Sequence, residues 1–87
     1  MHRIREAEYE GEYKLILTFE DGGKRLVDLK DQLFGEIFMP LREVNYFKTV
    51  KVNPELDTIV WDNGADFSPD FLFEIGKELS SQEPLAK

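Results

Sequence analysis

Residues 13–29 read YKLILTFEDGGKRLVDL, and this stretch decides the fold. Apolar and polar residues alternate on both sides of the two glycines, which is the period of two expected of strands with one buried face. Leu15, Leu17 and Phe19 share one side of the first predicted strand. The Asp-Gly pair between the two runs is a tight-turn signal. The stretch therefore predicts an antiparallel hairpin.

Three further segments alternate in the same way. Residues 3–10 precede the hairpin and predict a strand that completes a three-stranded meander. Residues 47–52 and 58–61 flank turn-forming residues at 53–57 and predict a second hairpin. Either residues 3–9 or residues 58–61 are candidates for an open sheet edge, through which a homodimer is possible.

The segment between the two hairpins carries a helix signal. Apolar residues recur three and four positions apart from Leu33 to Leu41, as one face of a helix requires. Gly35 and Pro40 interrupt the pattern, because proline is costly inside a helix. We therefore expect one helical turn near residues 31–34 and another short helix around residues 40–43.

The last predicted element is a helix that begins after Ser68, an N-cap residue followed by Pro69, and runs to about Leu79. Together the elements predict an α+β fold. It consists of a small antiparallel sheet, a three-stranded meander plus a second hairpin, with two or three short helices, the last one C-terminal. We expect a single domain over residues 1–79 and a mobile C-terminal tail over residues 80–87.

The core of this small domain is expected to depend on its large aromatic side chains. Those expected to contribute most are Phe19, Phe34, Phe38, Phe47, Trp61, Phe67, Phe71 and Phe73.

Composition limits the classes of function. The net charge of −7 disfavours binding to phosphate backbones and anionic lipid. Residues 52–87 hold eight acidic and two basic residues, a balance of −6. The chain lacks cysteine, and His2 is its one histidine, so we expect no catalytic triad, no metal ligands and no cofactor. No apolar run is long enough to span a bilayer, and we expect a bacterial cytoplasmic protein that is not an enzyme.

Four short motifs follow one another along the chain. They are Phe19-Glu20-Asp21-Gly22, Val27-Asp28-Leu29, Gly35-Glu36-Ile37-Phe38-Met39-Pro40-Leu41 and Trp61-Asp62-Asn63-Gly64-Ala65-Asp66. In this order they resemble a small prokaryotic domain-of-unknown-function family, number 2442, over roughly residues 3–76. The resemblance implies an antiparallel α+β domain and no established activity.

The chain departs from the family in two respects. Members usually carry proline where this chain has Asp62. Some members also continue into a helix-turn-helix DNA-binding domain, whereas this sequence stops at Lys87. The resemblance therefore relates the chain to the N-terminal half of a transcriptional regulator, and we expect no direct binding of nucleic acid.

The first candidate site is a loop that contains Trp61, Asn63, Gly64 and Asp66. An aromatic ring beside an amide, a flexible glycine and a carboxylate can close over a small polar ligand. The same residues also suit a purely structural turn, with Gly64 at a positive φ and Asp66 bonded to nearby backbone amides. The sequence leaves both interpretations open.

The second candidate site is an apolar stretch around Pro40 that includes Phe38, Met39, Leu41 and Tyr46. It holds more apolar surface than a small sheet is expected to cover. One interpretation is ordinary core packing. The other is a hydrophobic patch that receives a partner protein, with Arg42 and Lys48 at its rim.

Two functional hypotheses follow from these sites. The first is a non-catalytic protein-interaction module with a protein partner, in one form an antitoxin whose acidic surface covers a basic toxin. The second is a small-ligand-binding sensor, or a weak enzymatic domain, that uses the loop from Trp61 to Asp66. The sequence favours the first, because nothing in it supplies a nucleophile or a paired acid and base.

Overall fold

The computed structural model describes residues 2–79, and these form an α+β fold, as the sequence predicts. One antiparallel sheet has the strand order β1-β2-β3-β6, and β4 pairs with β5 in a separate hairpin. The strands are β1 (Ile4–Gly11), β2 (Lys14–Phe19), β3 (Lys24–Asp28), β4 (Lys51–Asn53), β5 (Thr58–Val60) and β6 (Lys77–Glu78). The helices are α1 (Val44–Phe47) and α2 (Pro69–Ile75), with 3-10 segments at Lys30–Gln32 and Glu36–Arg42.

The meander of β1, β2 and β3 is confirmed, with Leu15 opposite Val27 and Ile16 opposite Leu26. Gly22 in the turn has a φ of 91°, a backbone conformation that favours glycine. Alternation places Leu15, Leu17 and Phe19 on an inner face that is buried. The core forms between this face, the helical segments and the second hairpin. Its buried members are Ile4, Leu15, Leu17, Phe19, Val27, Leu29, Leu33, Leu41, Phe47, Ile59, Trp61, Ala65, Phe67 and Leu72.

The second hairpin is shorter than predicted, because residues 47–50 are not a strand. The Phe47 amide donates to the Glu43 carbonyl and the Lys48 amide to the Val44 carbonyl, which closes a helical turn. β4 therefore begins only at Lys51. The helical bonds use the backbone groups that a strand would need for its ladder.

The C-terminal helix was predicted to reach Leu79, but α2 ends at Ile75. A Cβ on Gly76 would lie 2.9 Å from the Leu72 carbonyl oxygen and 3.0 Å from the Arg25 Cβ. This close approach brings the chain against β3, where Lys77–Glu78 pair as β6. The sheet thus gains a fourth strand that the sequence assigned to a helix. The tail predicted for residues 80–87 lies outside the described residues.

Across residues 2–79, no helix has the length and apolar character needed to cross a membrane.

Candidate functional site

Trp61, the first residue of the candidate loop, lies in the core. Its indole is 2% exposed, and its Nε1–H donates to the Phe47 carbonyl at 2.8 Å. Its ring packs at a centroid distance of 5.6 Å from Phe47 and 6.0 Å from Phe67. The indole is therefore used to join β5, α1 and the segment before α2, and it offers almost no surface to a ligand.

Both polar atoms of the Asn63 side-chain amide form hydrogen bonds, one within the loop and one to a neighbouring segment. Its Oδ1 accepts from the Ala65 amide at 3.0 Å, and its Nδ2 donates to the Ile37 carbonyl at 3.0 Å. Its backbone amide donates to the Tyr46 hydroxyl at 2.9 Å. These bonds bring the two candidate sites together, because Ile37 and Tyr46 belong to the apolar stretch around Pro40.

The remaining loop residues complete a tight turn. The Trp61 amide donates to the Ala65 carbonyl at 3.0 Å, and the Gly64 amide donates to the Trp61 carbonyl at 3.0 Å. Gly64 has a φ of 94°, so a side chain here would strain the backbone. Asp66 is exposed, and its backbone bridges to Val60.

Asp62 is also exposed, and it pairs with Lys51 on β4. The Lys51 ammonium donates to the Asp62 carboxylate at 2.6 Å, and this hydrogen bond, with the opposite charge, raises the pKa of Lys51. Both side chains remain in solvent, where such pairs add little stability. The pair therefore connects the loop to β4.

The segment Glu36–Arg42 is a 3-10 helix, and this geometry decides which of its side chains are buried. Side chains three residues apart eclipse one another in a 3-10 helix. Phe38 and Leu41 therefore share the inward side: Leu41 is fully buried, and Phe38 stacks on Phe67 at 4.8 Å between centroids. Ile37 and Met39, on either flank of Phe38, face solvent.

Three large apolar side chains are exposed in this region, and we call them the exposed patch: Phe34 (65% exposed), Ile37 (46%) and Met39 (49%). Phe34 was expected in the core, and that prediction is wrong. Gly35, with a φ of 91°, turns the chain between Leu33 and the 3-10 segment. Leu33 is buried, and its neighbour Phe34 faces out.

The backbone that carries the exposed patch is anchored on both sides. The Arg42 Nε donates to the Leu33 carbonyl at 2.7 Å, which closes the segment on itself. The Tyr13 hydroxyl donates to the Arg42 carbonyl, and Asn63 holds the Ile37 carbonyl as described above. The exposed patch is thus presented by a segment fixed to the core at several points.

The structure distributes the candidate patch residues over three environments. Met39 is exposed, Phe38 and Tyr46 are partly buried and pack against the core, and Leu41 has no accessible surface. Leu41 therefore contributes to folding and offers no contact to a partner. Sequence reasoning missed Ile37 as a surface residue, because it applied a helical period of three and four where the chain has a 3-10 period of three. It missed Phe34 because the helical pattern was carried across Gly35, where the chain turns.

The only histidine among residues 2–79, His2, packs against α2. The His2 ring stacks on Phe73 with centroids 3.6 Å apart, and its backbone amide donates to Asp70 at 2.9 Å. The Arg25 guanidinium lies 3.7 Å from the centre of the same Phe73 ring. Within this part of the chain, no three His, Asp or Glu side chains come together as metal ligands.

We predict that Asn63→Ala lowers the free energy of unfolding by about 0.5–1.5 kcal/mol, because it removes the side-chain hydrogen bonds to the Ala65 amide and the Ile37 carbonyl at the surface of the fold. Asn63→Asp keeps the acceptor for Ala65 but replaces the donor to Ile37 by a second oxygen, so its effect isolates the loss of the Ile37 contact. Urea unfolding followed by circular dichroism measures both. Equal stability of Asn63→Ala and the wild type would show that these bonds do not hold the loop.

The comparisons with known proteins identify a family. No curated protein and no solved structure matches the chain. Residues 4–78 match the family described as "Protein of unknown function (DUF2442)". This range runs from the first residue of β1 to the last residue of β6 and includes both candidate sites. The resemblance seen in the sequence motifs is confirmed, and the chain belongs to the DUF2442 family.

Proposed function

We propose that this protein is a non-catalytic interaction module that binds a basic protein partner through the exposed patch. The observation that carries the proposal is that Phe34, Ile37 and Met39 are exposed on an anchored segment. Clustered exposed apolar side chains often mark protein-binding surfaces. Aromatic residues and methionine are also enriched in such interfaces.

Anchoring supports the proposal because it reduces the entropic cost of association. A flexible apolar segment must be ordered when it binds, and that ordering weakens affinity. Here the Ile37 carbonyl is already held by Asn63, and Phe38 is stacked on Phe67 beneath the exposed patch. A partner therefore meets side chains whose backbone is already in place.

The charge distribution supports a basic partner. Glu36 opens the 3-10 segment, and Asp66 ends the loop whose Asn63 contacts that segment; both acidic residues are exposed. Complementary charge speeds association and selects among partners. In its antitoxin-like form, the module would cover the nucleic-acid-facing surface of a basic toxin.

The proposal assigns no chemistry to the loop from Trp61 to Asp66. The Trp61 indole and the Asn63 side chain are engaged within the fold, which leaves Asp66 as the one loop carboxylate without an ion pair among the described contacts. A lone exposed carboxylate lacks the tuned second group that acid–base catalysis needs.

Capture from the native cell lysate tests the proposal. The wild-type protein and the double variant Phe34→Ser/Met39→Ser are immobilised in parallel, and bound proteins are quantified. We expect a basic protein near one-to-one on the wild type and its loss from the double variant. Equal recovery on both proteins, or the absence of any stoichiometric protein on the wild type, would contradict the proposal.

A further inference from the structure

The outer face of the four-stranded sheet is a second surface with an unusual charge arrangement. Ile16 and Leu26 form a cross-strand pair at its centre. They are partly exposed and belong neither to the core cluster nor to the residues packed against it. α2 lies against the opposite face, where Gly76 meets Arg25 and Val27. The described residues thus leave this aliphatic pair without a covering element.

Charges of opposite sign flank the aliphatic pair. The strand register places Glu8 beside Ile16 and Lys77 beside Leu26, so one row across the sheet reads Glu8, Ile16, Leu26, Lys77. Both end residues are exposed. Glu8 and Lys77 are three strand spacings of about 4.8 Å apart, and this distance is too long for an ion pair between them within one chain. In the neighbouring row, Lys14 on β2 lies opposite Asp28 on β3.

This pattern is complementary to itself. Consider a twofold axis parallel to the strands that passes between β2 and β3. The rotation reverses the order of the strands, so the row of four in one copy lies over the same row of the second copy in the opposite order. Glu8 then meets Lys77 of the second copy, and Ile16 meets Leu26 of the second copy. Lys14 likewise meets Asp28 of the second copy. Each contact occurs twice, as an isologous interface requires.

We propose that two copies of this chain associate face to face through the outer sheet surface. The two sheets pack with their strands roughly 30° apart, as in aligned sheet packing. The aliphatic pairs form the centre, and the ion pairs fix the register. Edge pairing through β1 is disfavoured, because Glu6, Glu8 and Glu10 line that edge strand.

The expected affinity is modest. Four strands about 4.8 Å apart give a face smaller than the roughly 800 Å² per partner of a standard stable interface. We therefore expect a dissociation constant on the order of 100 µM. Such a dimer leaves the exposed patch accessible, because the 3-10 segment does not belong to the outer face.

Charge reversal tests the arrangement by sedimentation equilibrium at physiological ionic strength. Glu8→Lys alone and Lys77→Glu alone each turn two attractions into two repulsions, and each should weaken the dimer about tenfold or more. An equimolar mixture of the two variants restores opposite charges at both contacts, so the heterodimer should recover near wild-type affinity. Glu55→Lys, on the exposed turn of the second hairpin, controls for the change in net charge of Glu8→Lys.

The result that supports the proposal is a pair of monomeric single variants that dimerise only when mixed, while Glu55→Lys behaves as the wild type. Three results would overturn it: a wild type that is monomeric at millimolar concentration, a mixture that stays monomeric, or a loss in Glu55→Lys equal to that in Glu8→Lys. Thermal unfolding of each variant verifies that it is folded. The outcome is independent of the proposed partner-binding function.

Discussion

Trp61→Ala is expected to lower the free energy of unfolding by about 3–5 kcal/mol, the usual cost of removing a buried aromatic side chain. The substitution empties the space between Phe47 and Phe67. It also removes the shorter of the two hydrogen bonds to the Phe47 carbonyl, which keeps only its bond from the Val50 amide. A chain of 87 residues has a total stability of roughly 4–13 kcal/mol. The variant should therefore lose a large share of its stability, as measured by urea unfolding followed by far-ultraviolet circular dichroism.

Trp61→Phe separates packing from hydrogen bonding. It retains an aromatic ring in the core and removes only the Nε1–H donor and part of the volume, so it should cost about 1–3 kcal/mol. If Trp61→Ala and Trp61→Phe both unfolded at the wild-type urea concentration, Trp61 would not be a core residue. The ligand-binding interpretation of its loop would then return.

Phe34→Ser/Met39→Ser is expected to weaken the complex with the captured partner by about 30-fold or more, since central apolar anchors are each worth more than about 1 kcal/mol. Its stability should stay within about 0.5 kcal/mol of the wild type, because both side chains are largely exposed. Isothermal titration of the purified partner measures the affinity. Urea unfolding measures the stability.

Leu56→Ser is the matched control for the exposed patch. Leu56 is 54% exposed on the turn of the second hairpin, and so it resembles Met39 in exposure and chemistry but lies outside the patch. The account predicts unchanged affinity for Leu56→Ser. An equal loss of affinity in Leu56→Ser and in the double variant would show that apolar surface in general, and not the patch, attracts the partner.

The sheet could be predicted from the sequence because its signals are local. Strict alternation from Leu15 to Phe19, followed by an Asp-Gly turn, fixes both the hairpin and the buried face. β6 could not be predicted in this way. Lys77–Glu78 form a strand only because Gly76 lets the chain pass close to Arg25 and Val27, and that approach depends on tertiary packing.

The segment around Pro40 shows a different limit of sequence reasoning. Leu33, Phe34, Ile37 and Leu41 fit a helical stripe on spacing alone. A 3-10 geometry turns Ile37 out and keeps Leu41 in, and the positive φ at Gly35 reverses the chain beside Phe34. Because α- and 3-10 helices differ by less than one residue per turn, apolar spacing over seven residues does not distinguish them.

The candidate loop was recognisable from the sequence, but the structural roles of its residues were not. An Asn-Gly pair after a tryptophan indicates a turn in the chain. That Asn63 reaches the Ile37 carbonyl 26 positions earlier depends on how the second hairpin packs. The contacts give three residues of this motif a structural role: Trp61 fills the core, Asn63 bonds two segments, and Gly64 makes the turn.

The most direct test of the interaction account is site-specific photo-crosslinking in the native cell. A photoreactive phenylalanine analogue replaces Phe34 in one sample and Leu56 in another. The account predicts one crosslinked basic protein from position 34 and none from position 56. Absence of a crosslink from position 34, or the same crosslinked protein from both positions, would contradict the claim that the exposed patch is the binding surface.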